Sequence, residues 1–265
     1  MVSRLTSYIE IDIKVYYKYI LMEKSIIAGS IAGGIGYVST LPLDFIKQHL
    51  QSDRNFNYQT IQKNGWGILF KGGLIGSASI IPQMVIKFTA NDILHKKTRN
   101  SPFTNGFLAG YLDGSFLGPV LAVQSIQQMN YKYSYKDAFK KLCKSRHFLS
   151  LSIPMALRNG VYTSILFGGH QKCKGKSTFL NNLTISSILN IPAVIACSPF
   201  DVIRAKQIQY MLDGHSVGVR EVTNHIYKQR GIGGFYQGFG SLYINFALRF
   251  PLTFALFYSM MDTWD

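Results

Sequence analysis

The order of apolar and polar positions divides the chain into six apolar segments separated by polar, basic stretches. The segments form three pairs, at about residues 25–40 and 72–90, 105–118 and 148–169, and 183–198 and 239–261. Each is 14 to 23 residues long, near the roughly 20 residues that cross a bilayer as a helix. If these were core helices of a soluble protein, too few amphipathic stretches would be left to cover them. The pattern therefore predicts an all-α membrane protein with six transmembrane helices.

The first segment of each pair runs into a proline, and two of these prolines open the same motif. Pro42 and Pro199 each begin Pro-x-Asp-x-x-(Lys/Arg), whereas Pro119 lacks the charged residues. The prolines are 77 and 80 residues apart, which predicts an N-terminal extension (1–22) and three repeats (23–100, 101–178 and 179–265) in one transmembrane domain. We expect each first segment to continue as a helix through its proline. Glycines four apart, such as Gly106 and Gly110, predict close helix packing.

Composition narrows the class of protein further. The 265 residues include 28 Lys or Arg and 13 Asp or Glu, for a net charge of +15, yet only 15% are charged and 47% are hydrophobic. A disordered basic tail would be less apolar, and a soluble nucleic-acid binder would carry more charge. Basic stretches such as 130–147 are instead suited to an anionic membrane surface or to a solvated loop. Residues 1–21 lack the layout of a signal peptide and form either an accessory helix or an upstream extension.

Motifs for catalysis and for metal binding are missing from the sequence. The three cysteines are far apart, which predicts neither a disulfide framework nor a zinc site. No Walker loop, His-Glu-x-x-His, Cys-x-x-Cys or nucleophile elbow occurs. We therefore expect no enzyme activity, no metal and no cofactor.

Polar residues at helical spacing mark one face of each second segment. Lipid does not tolerate polar side chains, so these faces should meet water or solute, and each carries a cation: Lys87, Arg158 or Arg249. Together they predict a water-filled central cavity suited to a small anionic solute. The candidate substrate-binding residues are Ser79, Gln83, Lys87, Arg158, Asn159, Tyr162, Asn245 and Arg249. Asp113, in the third segment, is either a coupling site or the ion-pair partner of a nearby cation.

Two motifs together resemble the mitochondrial carrier family over about residues 23–264. Besides the proline motif, residues 64–72 and 231–238 approach a second signature: an acidic residue, Gly, four residues, an aromatic residue, Lys or Arg, and Gly. Asn64 stands in the acidic position of the first copy, and Gln237 in the basic position of the second. The resemblance implies six transmembrane helices in three tandem two-helix repeats with threefold pseudosymmetry. It also implies a multi-pass protein of the mitochondrial inner membrane that works as a monomer by alternating access.

The resemblance further implies two gates. The matrix gate would consist of Asp44, Lys47, Gln51, Gln124, Gln128, Asp201 and Arg204, and the cytoplasmic gate of Asp92, His95, Gln171, Lys174 and Asp262. At the matrix gate, Asp201–Lys47 would be the complete pair, because Asp44 would face Gln124 and Arg204 would face Leu121. We hypothesise that this gate closes less firmly than one with three ion pairs.

The family's substrate contact points lie on the same polar faces. Arg158 followed by Asn159 resembles carboxylate carriers, whereas Tyr162 matches a base-stacking tyrosine of ADP/ATP carriers. Three cations favour a polyphosphate, so the prediction is a nucleotide or deoxynucleotide. The alternatives are a di- or tricarboxylate or keto-acid carrier, and a carrier-like scaffold that no longer transports. On the sixth segment, the contact residue is Asn245 or Arg249.

The resemblance also implies a bound lipid. Gly72 and Gly238, at the starts of the second and sixth helices, resemble the family's cardiolipin contacts. Backbone N–H groups at a helix start bind phosphate readily. The expected partners are therefore a small anionic solute and membrane lipid, with no nucleic acid.

Overall fold

Helices account for all of the regular structure in the part of the chain that is described. The computed structural model describes residues 2–52, 58–98, 101–145, 147–172, 179–215 and 217–264. The six long helices are α1 (Val2–Gln51), α3 (Gly73–Lys97), α4 (Pro102–Met129), α6 (Ser152–Lys172), α7 (Phe179–Leu212) and α9 (Phe239–Trp264). The short helices are α2 (Tyr58–Asn64), α5 (Tyr135–Lys144) and α8 (Val219–Arg230), and 3₁₀ turns span Trp66–Phe70, Phe148–Leu151 and Ile232–Tyr236. The all-α prediction is confirmed.

The motif prolines lie inside helices, as predicted. Pro42 lies in α1, Pro119 in α4 and Pro199 in α7, and each helix continues for at least two turns beyond its proline. A membrane helix tolerates an internal proline because its neighbours can satisfy the freed backbone group. The N-terminal extension is helical from Val2 and runs into the first repeat without a break, so it is the beginning of α1 rather than a separate accessory helix.

The long helices pack around a central space in chain order. α1 packs against α3 and α9, α4 against α3 and α6, and α7 against α6 and α9. Among the described residues, the α4–α6 contact is the most extensive, and glycines of α4 face the backbone of α6. A Cβ atom added to Gly106 would lie 2.8 Å from the Thr163 carbonyl oxygen, and one added to Gly114 would lie 2.5 Å from the Ala156 Cα atom. The glycines therefore permit the contact that their spacing predicts.

The outer surface of the bundle is apolar. Ile27, Ile31 and Ile35 recur every four residues on α1 and are exposed, as are side chains of α4 and α7 such as Phe116 and Ile188. Four spans in the described residues are long and apolar enough to cross a membrane: Ile26–Gln51, Trp66–His95, Pro102–Met129 and Leu183–Leu212. They lie on α1, α3, α4 and α7, and α6 and α9 complete the bundle. Lipid covers such a surface at no cost.

Short amphipathic helices lie between the two long helices of each repeat. In α5, Ala138 and Leu142 are buried in a core shared with α4 and α7, while Lys136 and Lys140 are exposed. The hydroxyl and the backbone N–H of Ser134 both donate to the Asp137 carboxylate and hold its pKa below the usual range. The basic stretch 130–147 therefore contains a capped helix with lysines on its solvent face.

Candidate functional site

The six long helices surround a cavity of about 210 Å³ that contains most of the charged residues singled out in the sequence. The predicted substrate-binding residues that line it are Ser79, Gln83, Lys87, Arg158, Asn159, Tyr162 and Arg249. Five of the predicted matrix-gate residues line the same space: Asp44, Lys47, Gln124, Asp201 and Arg204. Substrate-binding and gate residues therefore share one cavity.

Lys87 of α3 forms an ion pair with Asp113 of α4. Its Nζ atom lies 3.2 Å from the Asp113 Oδ2 atom, and the carboxylate is completely buried. The Asn159 side-chain amide also donates to Oδ2, over 2.8 Å. Of the two roles considered for Asp113, the structure supports the pairing with a neighbouring cation, since a buried carboxylate needs such partners.

Arg158 of α6 forms an ion pair with Asp201 of α7. The Arg158 Nε and Asp201 Oδ1 atoms are 3.4 Å apart, and Arg158 also donates to Asn159 Oδ1 over 2.9 Å. The guanidinium lies over the Phe246 ring, 5.2 Å from its centroid. Asn159 therefore links the two ion pairs, because it accepts from Arg158 and donates to Asp113.

Arg249 of α9 forms the third ion pair, with Asp44 of α1. Its Nη2 atom donates to Asp44 Oδ2 over 2.6 Å, and its Nε atom donates to the Thr40 hydroxyl over 2.8 Å. The Asn245 side-chain amide donates to the other oxygen of the same carboxylate over 3.1 Å. Arg249 lines the cavity, whereas Asn245 is fully buried. Both candidates for the contact residue of the sixth long helix thus bind Asp44, and Arg249 is the one exposed to the cavity.

The three ion pairs follow one rule of connectivity. In each pair, the cation comes from the second long helix of one repeat and the carboxylate from the first long helix of the next: α3 to α4, α6 to α7, and α9 back to α1. Each pair therefore joins two repeats. We call these contacts the seam pairs.

The structure corrects the predicted pairing at the matrix gate. Asp201 pairs with Arg158 rather than Lys47, and Lys47 instead lies 3.4 Å from Asp44, one turn earlier on its own helix. Gln124 donates to the Tyr37 hydroxyl rather than to Asp44. The reason is the position of the guanidinium groups on the neighbouring helices. Arg158 lies within ion-pair distance of Asp201, and Arg249 binds Asp44 with a charge-assisted hydrogen bond.

The remaining matrix-gate residues are buried. Gln51 and Gln128 are at most 1% exposed, and Gln51 packs beneath Gly238. Arg204, which was named above among the residues that line the cavity, is 8% exposed, and within the described residues its Nε and Nη2 atoms have no hydrogen-bond partner. Leu121, which was expected to face it, also lines the cavity and is buried.

The cytoplasmic gate stays a prediction. His95 is exposed near the end of α3. Asp92, Gln171 and Asp262 lie on α3, α6 and α9, but their side chains are outside the described part of the structure, and so is all of Lys174.

The two signature glycines have the same backbone conformation. Gly72 and Gly238 have φ values of 77° and 71° and immediately precede α3 and α9. A Cβ atom on Gly72 would lie 2.9 Å from Gln124, so the position excludes a side chain both by conformation and by space. Binding of cardiolipin at these helix starts stays a prediction.

Tyr37 and Gln48 line the cavity but were not singled out in the sequence. Tyr37 lies under the Arg249 guanidinium, 4.8 Å from ring centroid to Cζ, and Gln48 donates to the Ser125 hydroxyl over 3.2 Å. Tyr37 and Gln48 lie seven residues before and four after Asp44, on the same face of α1. This spacing would have revealed them. Within the described residues, no group of three potential metal ligands occurs.

Comparison with known proteins decides the family. A model described as "Mitochondrial carrier protein" matches residues 21–102 and 175–264, more than half of the chain. The chain belongs to this family. The family membership that the two sequence motifs indicated is therefore confirmed. As a member of this family, the carrier is a multi-pass protein of the mitochondrial inner membrane.

The known proteins that this chain resembles are carriers, and each shares only a low sequence identity with it. A calcium-binding mitochondrial carrier protein of Dictyostelium discoideum is 26% identical over 247 residues, which cover 79% of this chain and 32% of that protein. An electrogenic aspartate/glutamate antiporter of Mus musculus is 22% identical over 287 residues, covering 89% and 40%. A mitochondrial substrate carrier family protein of D. discoideum is 23% identical over 259 residues, covering 82% and 84%. The chain thus spans well under half the length of the first two.

Proposed function

We propose that the carrier exchanges a small anion with two carboxylates, either a dicarboxylate or an acidic amino acid, through the central cavity. The observation that supports this class is the charge of the site. The site contains fewer carboxylates than cations. The three carboxylates are Asp44, Asp113 and Asp201, and the five cations are Lys47, Lys87, Arg158, Arg204 and Arg249. The excess of two positive charges matches a dianion.

The size of the cavity favours a compact solute over a nucleotide. Its volume of about 210 Å³ is below the roughly 300–1,000 Å³ of pockets that enclose drug-sized ligands. Tyr162, the candidate base-stacking residue, packs edge-on against Phe246 and donates its hydroxyl proton to Asn190. A ring held this way is poorly placed to stack on a base. One of the three relatives named above is an aspartate/glutamate antiporter, and none of the three is named for a nucleotide.

The seam pairs connect substrate binding to movement of the helices. A substrate carboxylate that binds Arg158 competes with Asp201, and one that binds Arg249 competes with Asp44. Each exchange of partners loosens the contact between two repeats while the buried cation stays neutralised. The binding energy offsets the cost of parting the helices, so opening of the cavity depends on the substrate. In this proposal the protein is a transporter and not an enzyme.

Exchange in proteoliposomes tests the substrate class. Purified carrier is reconstituted into vesicles loaded with succinate, aspartate, glutamate, ADP or dADP, and uptake of the same labelled solute is measured. We expect exchange of succinate or of an acidic amino acid and none of ADP or dADP. Exchange of the nucleotides alone would overturn the proposal. No exchange of any solute, by protein with a cooperative thermal transition, would favour the non-transporting scaffold.

Substitutions at one seam pair test the location of the site. Arg158→Gln should slow exchange by about tenfold or more, because it removes a charge-assisted contact. The double variant Arg158→Gln/Asp201→Asn also removes the carboxylate that the single variant leaves unpaired, so it should regain stability but not exchange. Arg220→Gln, on the exposed face of α8, is the control and should exchange normally.

A further inference from the structure

Arg204 differs from the other cations of the cavity. Lys47, Lys87, Arg158 and Arg249 each lie within 3.4 Å of a carboxylate oxygen. Arg204 lines the same cavity and is 8% exposed, yet within the described residues its Nε and Nη2 atoms have no hydrogen-bond partner and its guanidinium forms no ion pair. A buried guanidinium carries five donors and a full charge, so this arrangement is costly without an anion.

The neighbouring residues explain why Arg204 has no carboxylate partner among the described residues. Asp201 lies one turn earlier on α7, but its carboxylate pairs with Arg158 of α6. Repeats one and three have aspartate two residues after the motif proline, at Asp44 and Asp201, whereas repeat two has Leu121 there. Leu121 lines the cavity and is 7% exposed. The second repeat thus supplies an apolar side chain in place of a carboxylate.

A second cation lines the same cavity as Arg204. It is the Lys47 ammonium, which shares Asp44 with Arg249. Cationic donors from α1 and α7 therefore line one cavity, which suits an anion. A carboxylate placed there would satisfy the guanidinium with the geometry that Arg favours, two parallel N–H···O bonds.

We propose that Arg204 binds one carboxylate of the transported solute and so selects dicarboxylates over monocarboxylates. This inference rests on the proposed function, because it assigns the second carboxylate of that solute to a residue. The first carboxylate is bound by the cations of the seam pairs. Arg204 then acts as a substrate ligand, in contrast to its predicted role as one half of a matrix-gate ion pair.

The first test compares two solutes that differ by one carboxylate. The thermal unfolding midpoint of detergent-solubilised carrier is measured against increasing succinate and increasing butyrate. Wild type should be stabilised by succinate at concentrations about tenfold or more below those needed for butyrate. Arg204→Gln should lose most of this preference, with its butyrate response unchanged, and Arg204→Lys should keep part of it.

A second pair of variants tests the proposed contact between Arg204 and the solute while leaving Arg204 itself in place. Leu121→Asp places a carboxylate in the cavity that Arg204 also lines and should weaken the succinate response by about tenfold, because the new carboxylate competes with the solute. Leu121→Asn has the same size and polarity but no charge, and it should retain most of the response. Combining Leu121→Asp with Arg204→Gln should weaken binding no further than either change alone, since both remove the same contact.

The outcomes separate the two proposals. If wild type responds to neither succinate nor aspartate, the proposed substrate class fails, and the role of Arg204 fails with it. If wild type prefers succinate and Arg204→Gln retains that preference, only the inference about Arg204 is overturned. A response equally weakened by Leu121→Asp and by Leu121→Asn would also overturn it, since the effect would then come from polarity or size rather than charge.

Discussion

At the scale of single residues, Asp44 contacts three charged or polar side chains. It accepts from Arg249 over 2.6 Å and from Asn245 over 3.1 Å, and Lys47 lies 3.4 Å away. These partners come from α1 and α9, the first and last helices of the bundle. One carboxylate is therefore shared by two cations, and it joins the first and last helices of the bundle.

We expect Asp44→Asn to destabilise the carrier. Removing the charge leaves two cations without a carboxylate in a buried site, which costs about 3 kcal/mol when one partner of a buried pair is lost. Thermal unfolding in detergent measures the effect as a lower midpoint. Glu221→Gln, at an exposed position of α8, is the control and should change stability by less than about 0.5 kcal/mol. Equal midpoints for the two variants would contradict the assigned role of Asp44.

The residues of the cavity were easier to predict than their partners. Lys87, Arg158 and Arg249 were predicted from polar spacing, because a cation on an apolar helix must face the interior. Their carboxylates were not assigned, since the choice depends on helix rotation and on how far a guanidinium reaches. Asp201 shows the difference: its motif implied Lys47 of α1, but Arg158 of α6 is the cation within reach.

At the scale of helices, the contact between α4 and α6 depends on glycines spaced by four residues. Gly106, Gly110, Gly114 and Gly118 all face α6, and a Cβ atom on Gly118 would lie 2.8 Å from the Ser152 Cα atom. This contact positions Asn159, which binds Asp113 across the same interface. The four-residue spacing of the glycines was sufficient to predict the close approach of the two helices. The hydrogen bond between Asn159 and Asp113 that this approach permits was not evident from the sequence.

Gly114→Ala should separate α4 from α6. The added Cβ atom would lie 2.5 Å from the Ala156 Cα atom, so the helices must shift, at a cost of about 1–3 kcal/mol. Gly34→Ala is the matched control on α1, because nothing lies within 4 Å of its Cβ position and alanine favours the helix. Unfolding midpoints in detergent should fall for the first variant and stay equal or rise for the second. A similar fall in both would show that helix packing is not the cause.

At the scale of the whole molecule, the three repeats are joined by seam pairs, while the second repeat lacks two charges of the proline motif. Leu121 and Gln124 occupy those positions. The number of helices and the repeat architecture could be predicted from apolar segments and prolines. The conformation of the cavity could not, because the seam pairs depend on the relative placement of all six long helices.

Restoring both charges should reduce leakage through the carrier. In Leu121→Asp/Gln124→Lys, the new residues provide partners for Arg204 and Asp44 when the matrix side closes. Uptake into vesicles without internal substrate, at saturating external substrate, should fall by about fivefold, which corresponds to ~1 kcal/mol. Leu121→Asn/Gln124→Met changes the same positions without charge and should leak as wild type does. Unchanged uptake in the charged variant would contradict the hypothesis of a weakly closing gate.

The cyclic order of the seam pairs has a consequence for biogenesis. Asp44 lies on α1, whereas its partner Arg249 lies on α9, the last long helix. Until α9 is in place, Asp44 has Lys47 of its own helix as a partner but lacks the guanidinium, and a carboxylate at membrane depth that is only partly paired is costly in lipid. A chain truncated before α9 would therefore expose an incompletely paired carboxylate, which gives membrane quality control a chemical mark of incomplete assembly.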